Sequence, residues 1–397
     1  MPRLDYHTAG ESHGPAVLSL IQGLPAGLPL DLDLINTALR RRQGGYGRGG
    51  RQKIETDTAE FLSGVRRGVT IGAPLTIRIA NKDSRLDDTV KTPPLFRPRP
   101  GHADLAGSIK WLTTDCRATL ERASARETAA RVAAGAVARC LLRELEIETF
   151  GFVRSIHSAE WTGAVTADNW RTLLPARDAS EVACPDDSAS AAMIEAIRAA
   201  KVDKDTVGGL VEAHVFNLPP GLGSCADWRD KLDARLAFAV MGIQAFKSVE
   251  IGLGREVVGR RGSEVHDPIR FDPTQRDTPS LGFTRDTNNA GGLEGGMTNG
   301  QPVVVRAAMK PISTLLKGLP SVDLNTKAPE SSQYERSDVC AVPAASVVLE
   351  HVVAFEIARA LLDKFAGDTL IELRAAYDAF LDTARSLPLE PPTDVIA

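Results

Sequence analysis

Residues 120–142 read LERASARETAARVAAGAVARCLL, and this stretch is the strongest single guide to the fold. Ala and Leu recur at helical spacing with few breakers, which predicts a helix from Leu120 to Leu142. Trp228 to Ile243 and Ala344 to Phe365 carry a similar pattern, and Pro343 suits the first turn of the latter. Ala192 to Lys201 predicts a fourth helix. Strand-like runs lie at Leu75 to Ile79, Leu210 to Phe216, Val249 to Gly252 and Pro302 to Ala308. Helices and strands therefore occur in both halves without the regular alternation of a doubly wound sheet. That arrangement argues for layered helices and antiparallel sheets. Gly208 and Gly209 mark a bend or a close backbone contact rather than regular strand. No composition shift marks a boundary, so one large mixed domain over residues 1–397 is expected.

Composition narrows the function. A chain of 397 residues buries about three-quarters of its unfolded surface, so core size is not limiting. Lys and Arg total 47 against 51 Asp and Glu, a formal net charge of -4. A general nucleic-acid or membrane-surface protein carries the opposite balance, so any attraction for anions must come from local clustering. The five cysteines are scattered, with no CxxC or Cys/His spacing. A zinc site is not expected, and a reducing compartment is. The start, Met1 to Asp5, has no apolar run, and no segment approaches 18 consecutive apolar residues. The expected setting is the cytoplasm, without membrane or nucleic acid as partner.

Six short stretches carry candidate chemistry. Gly10 to Gly14 reads GESHG, either a tight loop bringing Ser12 and His13 to a ligand or an ordinary turn. Sequence adjacency does not make a Ser–His hydrolase, because such pairs meet through the fold and need a third, orienting residue. Arg40 to Lys53 holds six positive charges and no acid among interleaved glycines. Arginine forks and close backbone N–H groups suit phosphate or carboxylate. A solvated loop or an RGG-type RNA segment are the other readings, although an RGG segment normally sits in a repetitive tail. In RPRPGHAD, Arg97 to Asp104, prolines stiffen the approach to Arg99 and His102.

Ser124 with Glu127 three residues on fits a capping box at the start of the alanine-rich helix. Flanked by Arg122 and Arg126, the same helix start also suits an anion. Asn288 to Met297, followed by Lys310 to Thr314, does not fit a dinucleotide fingerprint. It suits a flat, phosphorylated cofactor or a glycine-rich turn before a strand. Asp338, beside Arg336, is either a turn residue or a held carboxylate base.

Together and in this order the stretches resemble the chorismate synthase family. The resemblance rests on GESHG, RRQGGYGRGGR (41–51), RPGHAD (99–104), RASARETAARVAAGA (122–136), NNAGG-LEGGMTNG (288–300), KPIST (310–314) and ERSD-VCAVPAASVVLE (335–350). Gln22 stands where an acidic residue is common in the family, and Ala123 where a Ser is common. The resemblance implies the last step of the shikimate pathway in aromatic amino-acid biosynthesis. In that step 5-enolpyruvylshikimate 3-phosphate becomes chorismate and phosphate by 1,4-anti-elimination, the work of a carbon–oxygen lyase. It implies reduced FMN, lending electron density without net redox change, with NADPH only an indirect source of reduced flavin. The implied fold is α+β, a β-α-β sandwich with central helices between two antiparallel sheets and an internal pseudo-twofold, assembled as a homotetramer.

By motif match, Ser12, Arg42, Arg48, Arg51, Arg99 and Arg126 are the implied substrate contacts. The family is also described with NADP contacts at Arg42 and Arg48, here taken as substrate arginines unless the protein reduces its own flavin. His13 would be the acid serving the departing phosphate, and His102 would neutralise the reduced flavin near N1. Asp338 would take the proton that flavin N5 removes from substrate C6. The implied FMN contacts are Arg122, Ala123, Ser124, Gln244, Ala245, Gly295, Lys310, Pro311, Ile312, Ser313, Thr314 and Arg336.

Overall fold

The computed structural model describes residues 4–49, 56–332 and 337–387, so the expected site residues Arg51 and Arg336 lie outside the described residues. Two helices form the centre. The first, Thr128–Arg143, exposes little beyond its arginines, and the second, Val342–Lys364, buries every residue from Val342 to Leu361 except Arg359. A helix that is apolar all round has to be enclosed on all sides. These two pack on each other where Gly135 passes His351; a Cβ on Gly135 would lie 2.2 Å from the His351 carbonyl oxygen. Only glycine permits that approach.

One antiparallel sheet covers each side of the helix pair. The four-stranded sheet runs in the order Asp5–Ala9, Ala16–Gln22, Leu75–Ala80, Glu60–Ser63 and packs on the Thr128–Arg143 helix. Val17, Ser19 and Ile21 pair across to Ile79, Ile77 and Leu75, and all six are fully buried. Their spacing of two along each strand sets one face inward. The five-stranded sheet runs in the order Phe246–Ile251, Val303–Met309, Gly209–Phe216, Glu148–Ile156, Ala159–Glu160 and packs on the Val342–Lys364 helix. The expected sandwich of antiparallel sheets around central helices is present, and one apolar core runs through it from Leu4 to Leu381. Of the bend or close backbone contact expected at the glycine pair, the close contact is present, although Gly209 opens a regular strand, Gly209–Phe216. A Cβ on Gly209 would lie 2.1 Å from the Ser155 carbonyl oxygen, where the pairing register shifts.

The predicted helix over 120–142 is interrupted. Helix Arg117–Ala123 ends, Ser124 is extended at φ -62 and ψ 140, and a short turn of 3₁₀ helix, Ala125–Glu127, leads into Thr128–Arg143. Ser124 does accept the Arg126 N–H. The reciprocal half of the capping box is missing because Glu127 is engaged elsewhere, by Thr8, Arg131 and Gln244. Helix Asp187–Val202 begins before the expected Ala192, since Asp186 caps it by accepting the Ala189 N–H. Helix Leu232–Met241 is shorter than the expected 228–243. Among the described residues no helix is long and apolar enough to cross a membrane. No group of three or more His, Cys, Asp or Glu there could hold a metal ion. All five cysteines are free.

Candidate active site

The loops that leave these elements converge on a cavity of about 520 Å³. Its apolar wall comes from the start of the long central helix, where Ala341, Ala344, Ala345 and Val348 fall on one face at helical spacing. Ile243, Phe246, Met309 and Ile312 complete that wall. Facing it are six cationic side chains, Arg42, Arg48, Arg85, Arg99, Arg126 and Lys310. Asp83 and Asp338 are the acidic side chains lining the cavity among the described residues.

Several carboxylates stand behind the wall and hold the cations in place. Asp57, fully buried, bridges Arg42 (Nη2 to Oδ2, 2.8 Å) and Arg126 (Nη1 to Oδ1, 2.6 Å). Arg126 also donates to Asn81 Oδ1 at 2.7 Å. Burial lowers Arg42 to about 10; Asp57 opposes that shift, while Arg126 and Arg48 add to it. Arg99 is locked to Asp104 by Nε at 2.8 Å and to Thr314 by Nη1 at 3.0 Å. The Asp104 carboxyl, which burial alone would raise, is held well below the usual carboxylate range by His102 and Arg99.

Both cavity histidines are tethered through Nδ1 to a buried carboxylate. His13 Nδ1 lies 2.9 Å from Glu121 Oε1, and the His13 main-chain N–H donates to Oε2 at 2.9 Å. His102 Nδ1 lies 2.5 Å from Asp104 Oδ1. Asp338 is gripped from two sides of the glycine loop: Gly49 N–H donates to Oδ1 at 2.6 Å, and Arg48 Nη1 lies 3.0 Å from Oδ2. Among the described residues the cation beside Asp338 is Arg48.

The other expected residues divide clearly. Ser12 and Ser124 meet in the cavity through a 3.1 Å hydroxyl contact, with Ala123 beside them. Gln244 and Ala245 also line the cavity. Gln244 Nε2 donates to Glu127 at 2.8 Å, while its Oε1 is buried without a partner among the described residues. Ala245 sits at φ +68, a left-handed conformation that costs a non-glycine residue roughly 1–2 kcal/mol. Its carbonyl accepts the Lys310 N–H at 2.9 Å, which ties this turn to the segment Lys310 to Thr314. Lys310 Nζ donates to the Gly101 carbonyl at 2.6 Å, and burial followed by repulsion from Lys247 lowers its pKa.

Two expected residues stand outside the cavity. Arg122 turns away to the carbonyls of Gly10 and Thr8 at 3.2 and 3.0 Å. Gly295 occupies the turn between Leu293–Glu294 and Met297–Thr298. Sequence reading assigned no role to Asp57, Asp83, Arg85, Asp104 or Glu121. Asp104 and Glu121 stood within quoted motifs, whereas nothing in the sequence around Asp57 points to the two arginines it joins.

Geometrically the site can bind a small polyanion against an apolar wall, with two carboxylate-tethered histidines and Asp338 among its lining groups. A family model described as chorismate synthase matches residues 4–362. The chain is 51% identical to the chorismate synthase of Desulforamulus reducens, over 97% of this chain and 100% of that one. It is 52% identical to that of Geobacter metallireducens, over 96% and 100% respectively. A crystal structure of a chorismate synthase is similar to it with a TM-score of 0.80 at 38% identity, covering 98% of this chain and 100% of the other.

Proposed function

Since the chain belongs to the chorismate synthase family, we propose that this cavity binds 5-enolpyruvylshikimate 3-phosphate beside reduced FMN. A chorismate synthase is a carbon–oxygen lyase that closes the shikimate pathway by eliminating phosphate. The observation that carries the reading is the meeting of six cations, two carboxylate-backed histidines and Asp338 across one apolar wall. The substrate bears a phosphate and two carboxylates, so it needs such a rim.

The residues present also fit a flavin. The wall of Ala344, Ala345, Val348, Ile243 and Phe246 suits a flat ring, and the orphaned Gln244 Oε1 is an acceptor for a ligand N–H. Ala123, Ser124, Gln244, Ala245 and Lys310 to Thr314 would hold it. Reduced FMN, when bound, supplies electron density that assists phosphate loss without net oxidation. Arg42, Arg48, Arg99 and Arg126 orient the anionic substrate. His13 delivers a proton to the departing phosphate, and Asp338 receives the proton the substrate loses. His102, fixed by Asp104, stands against the reduced cofactor, the role the family resemblance gives it. A cytoplasmic homotetramer completes the proposal, supported by free cysteines and by exposed apolar side chains such as Phe238 and Val258.

The test is an anaerobic assay with substrate and chemically reduced FMN, then with oxidised FMN plus NADPH. Chorismate should form in the first; formation in the second as well would show an intrinsic flavin reductase. Equal turnover in air with oxidised FMN and no reductant would sink the reading.

Arg48→Ala removes a charge-assisted hydrogen bond worth roughly 1.5–3 kcal/mol, so kcat/KM should fall about 10- to 150-fold. Because Arg48 also holds Asp338, part of that loss should appear in kcat. Substrate parameters within about twofold of wild type would make Arg48 a bystander. Removing a positioned proton donor is expected to slow turnover by roughly 10- to 1,000-fold in His13→Ala and in His102→Ala. Steady-state rates with reduced FMN check both, and a wild-type rate returns that histidine to a structural role.

A further inference from the structure

We propose that Glu121 is the positioning residue of His13, fixing the ring in the tautomer that turns Nε2 to the cavity. The inference rests on the reading of His13 as the acid for the departing phosphate. Glu121 lies on the short helix Arg117–Ala123 and is 2% exposed. Both of its oxygens face His13: Nδ1 stands 2.9 Å from Oε1 and 3.0 Å from Oε2, and the main-chain N–H donates to Oε2 at 2.9 Å. Burial would favour the protonated acid, but the hydrogen bonds and charge of His13, then Arg117, outweigh it and lower the Glu121 pKa. An ionised carboxylate only accepts. His13 Nδ1 must therefore carry a proton, which leaves Nε2 as the nitrogen that exchanges one.

The groups around Nε2 agree with that assignment. Asp83 Oδ2 stands 3.8 Å from Nε2 and Arg85 Nη2 3.5 Å from it, a mixed pair that accommodates Nε2 with or without its proton. Arg117 Nη1, 3.6 Å from Glu121 Oε1, supports the carboxylate from behind. The loop itself is pinned, since the His13 carbonyl accepts the Arg85 and Leu86 N–H groups at 2.9 and 3.0 Å. Rotation of the ring is then the remaining freedom, and Glu121 removes it. His102 and Asp104 repeat the device on the other side of the cavity.

Glu121→Gln tests this, since the amide keeps the size but can accept only one of the two donors. Its NH2 group then faces the other. The expected kcat falls about 10- to 100-fold while substrate KM stays within about threefold. In a His13→Ala background the same change should add little, because the two act as one unit. ¹⁵N NMR of the histidine rings in the full-length protein should show His13 with a protonated Nδ1 in wild type. In Glu121→Gln it should show a tautomer mixture. Wild-type kcat in Glu121→Gln, or an undiminished further loss in the His13→Ala background, would overturn the proposal. So would a wild-type His13 whose Nδ1 lacks a proton, a result that needs no variant to fold. Were His13→Ala itself to turn over normally, the acid role would fail, and the ring signal alone would decide whether Glu121 sets the tautomer.

Discussion

Asp338→Asn should lower kcat by about 100- to 10,000-fold, the range commonly lost with a general base. The amide oxygen can still accept the Gly49 N–H that now reaches Oδ1 at 2.6 Å, so the loop keeps one anchor. It cannot take up a proton near neutral pH. The cost of the change is that an NH2 group replaces the carboxylate oxygen facing Arg48 at 3.0 Å, so Arg48 loses its counter-charge. Two explanations of a slow variant then compete, a lost base and a displaced arginine. They separate in the kinetics. A lost base lowers kcat with substrate KM nearly unchanged, whereas a displaced Arg48 raises KM as Arg48→Ala does. Stopped-flow flavin spectra show whether cofactor and substrate still bind. Turnover at close to the wild-type rate would place the base elsewhere and leave Asp338 as the partner of Gly49 and Arg48.

The long central helix was readable because burial writes itself into composition, whereas helices Leu32–Gln43, Trp170–Ala179 and Leu370–Arg385 were not among those expected. Val342–Lys364 is enclosed on every side, and its apolar run could not be anything but a core helix of that length. The break at Ser124 was readable only in part, as a cap on the alanine-rich helix, which the Arg126 N–H contact bears out. What no local pattern showed is that the Ser124 hydroxyl also donates to Ser12, 112 positions away in the chain. The arginines of the site were legible as an excess of charge in Arg40 to Lys53, yet their counter-ions were not. Asp57 joins Arg42 across 15 positions and Arg126 across 69, and no local pattern carries a pairing of that kind. Motif order did carry the grouping of His13, His102 and Asp338. The Glu121 and Asp104 tethers of the two histidines emerged only from the folded geometry.

The other large effect expected is on stability, at a carboxylate that is not among the residues lining the cavity. Glu350 lies in the long central helix with no exposure, and Arg41 Nη1 donates to its Oε2 at 3.0 Å. Thr149 donates to Oε1 at 3.1 Å, while Arg139 and Arg177 stand at 3.4 and 3.8 Å. Burial raises the carboxyl, and Arg41, Arg139 and Arg177 more than reverse it, holding it far below the usual range. Glu350→Gln leaves those guanidiniums without their shared counter-charge, a loss of about 3–5 kcal/mol when a buried pair is broken. The pH dependence has a fixed sign. A carboxylate whose pKa is depressed by folding stabilises fully above its unfolded value of about 4.3 and loses that contribution as pH falls through the folded one. Neighbouring His351, lowered to about 3 chiefly by burial, likewise favours the fold above about 6.5 and less so on descent toward 3. Wild type should therefore lose stability from about pH 6.5 downward, more steeply below about pH 4.3, where Glu350 takes up a proton in the unfolded chain but not in the folded one. Glu350→Gln lacks the Glu350 part of that slope, so the gap between the two proteins is widest near pH 7 and narrows below about pH 4. Thermal unfolding midpoints across that range measure it. A gap below about 1 kcal/mol at pH 7, or one that stays constant to pH 3, would mean that water or rearrangement already satisfies the three arginines.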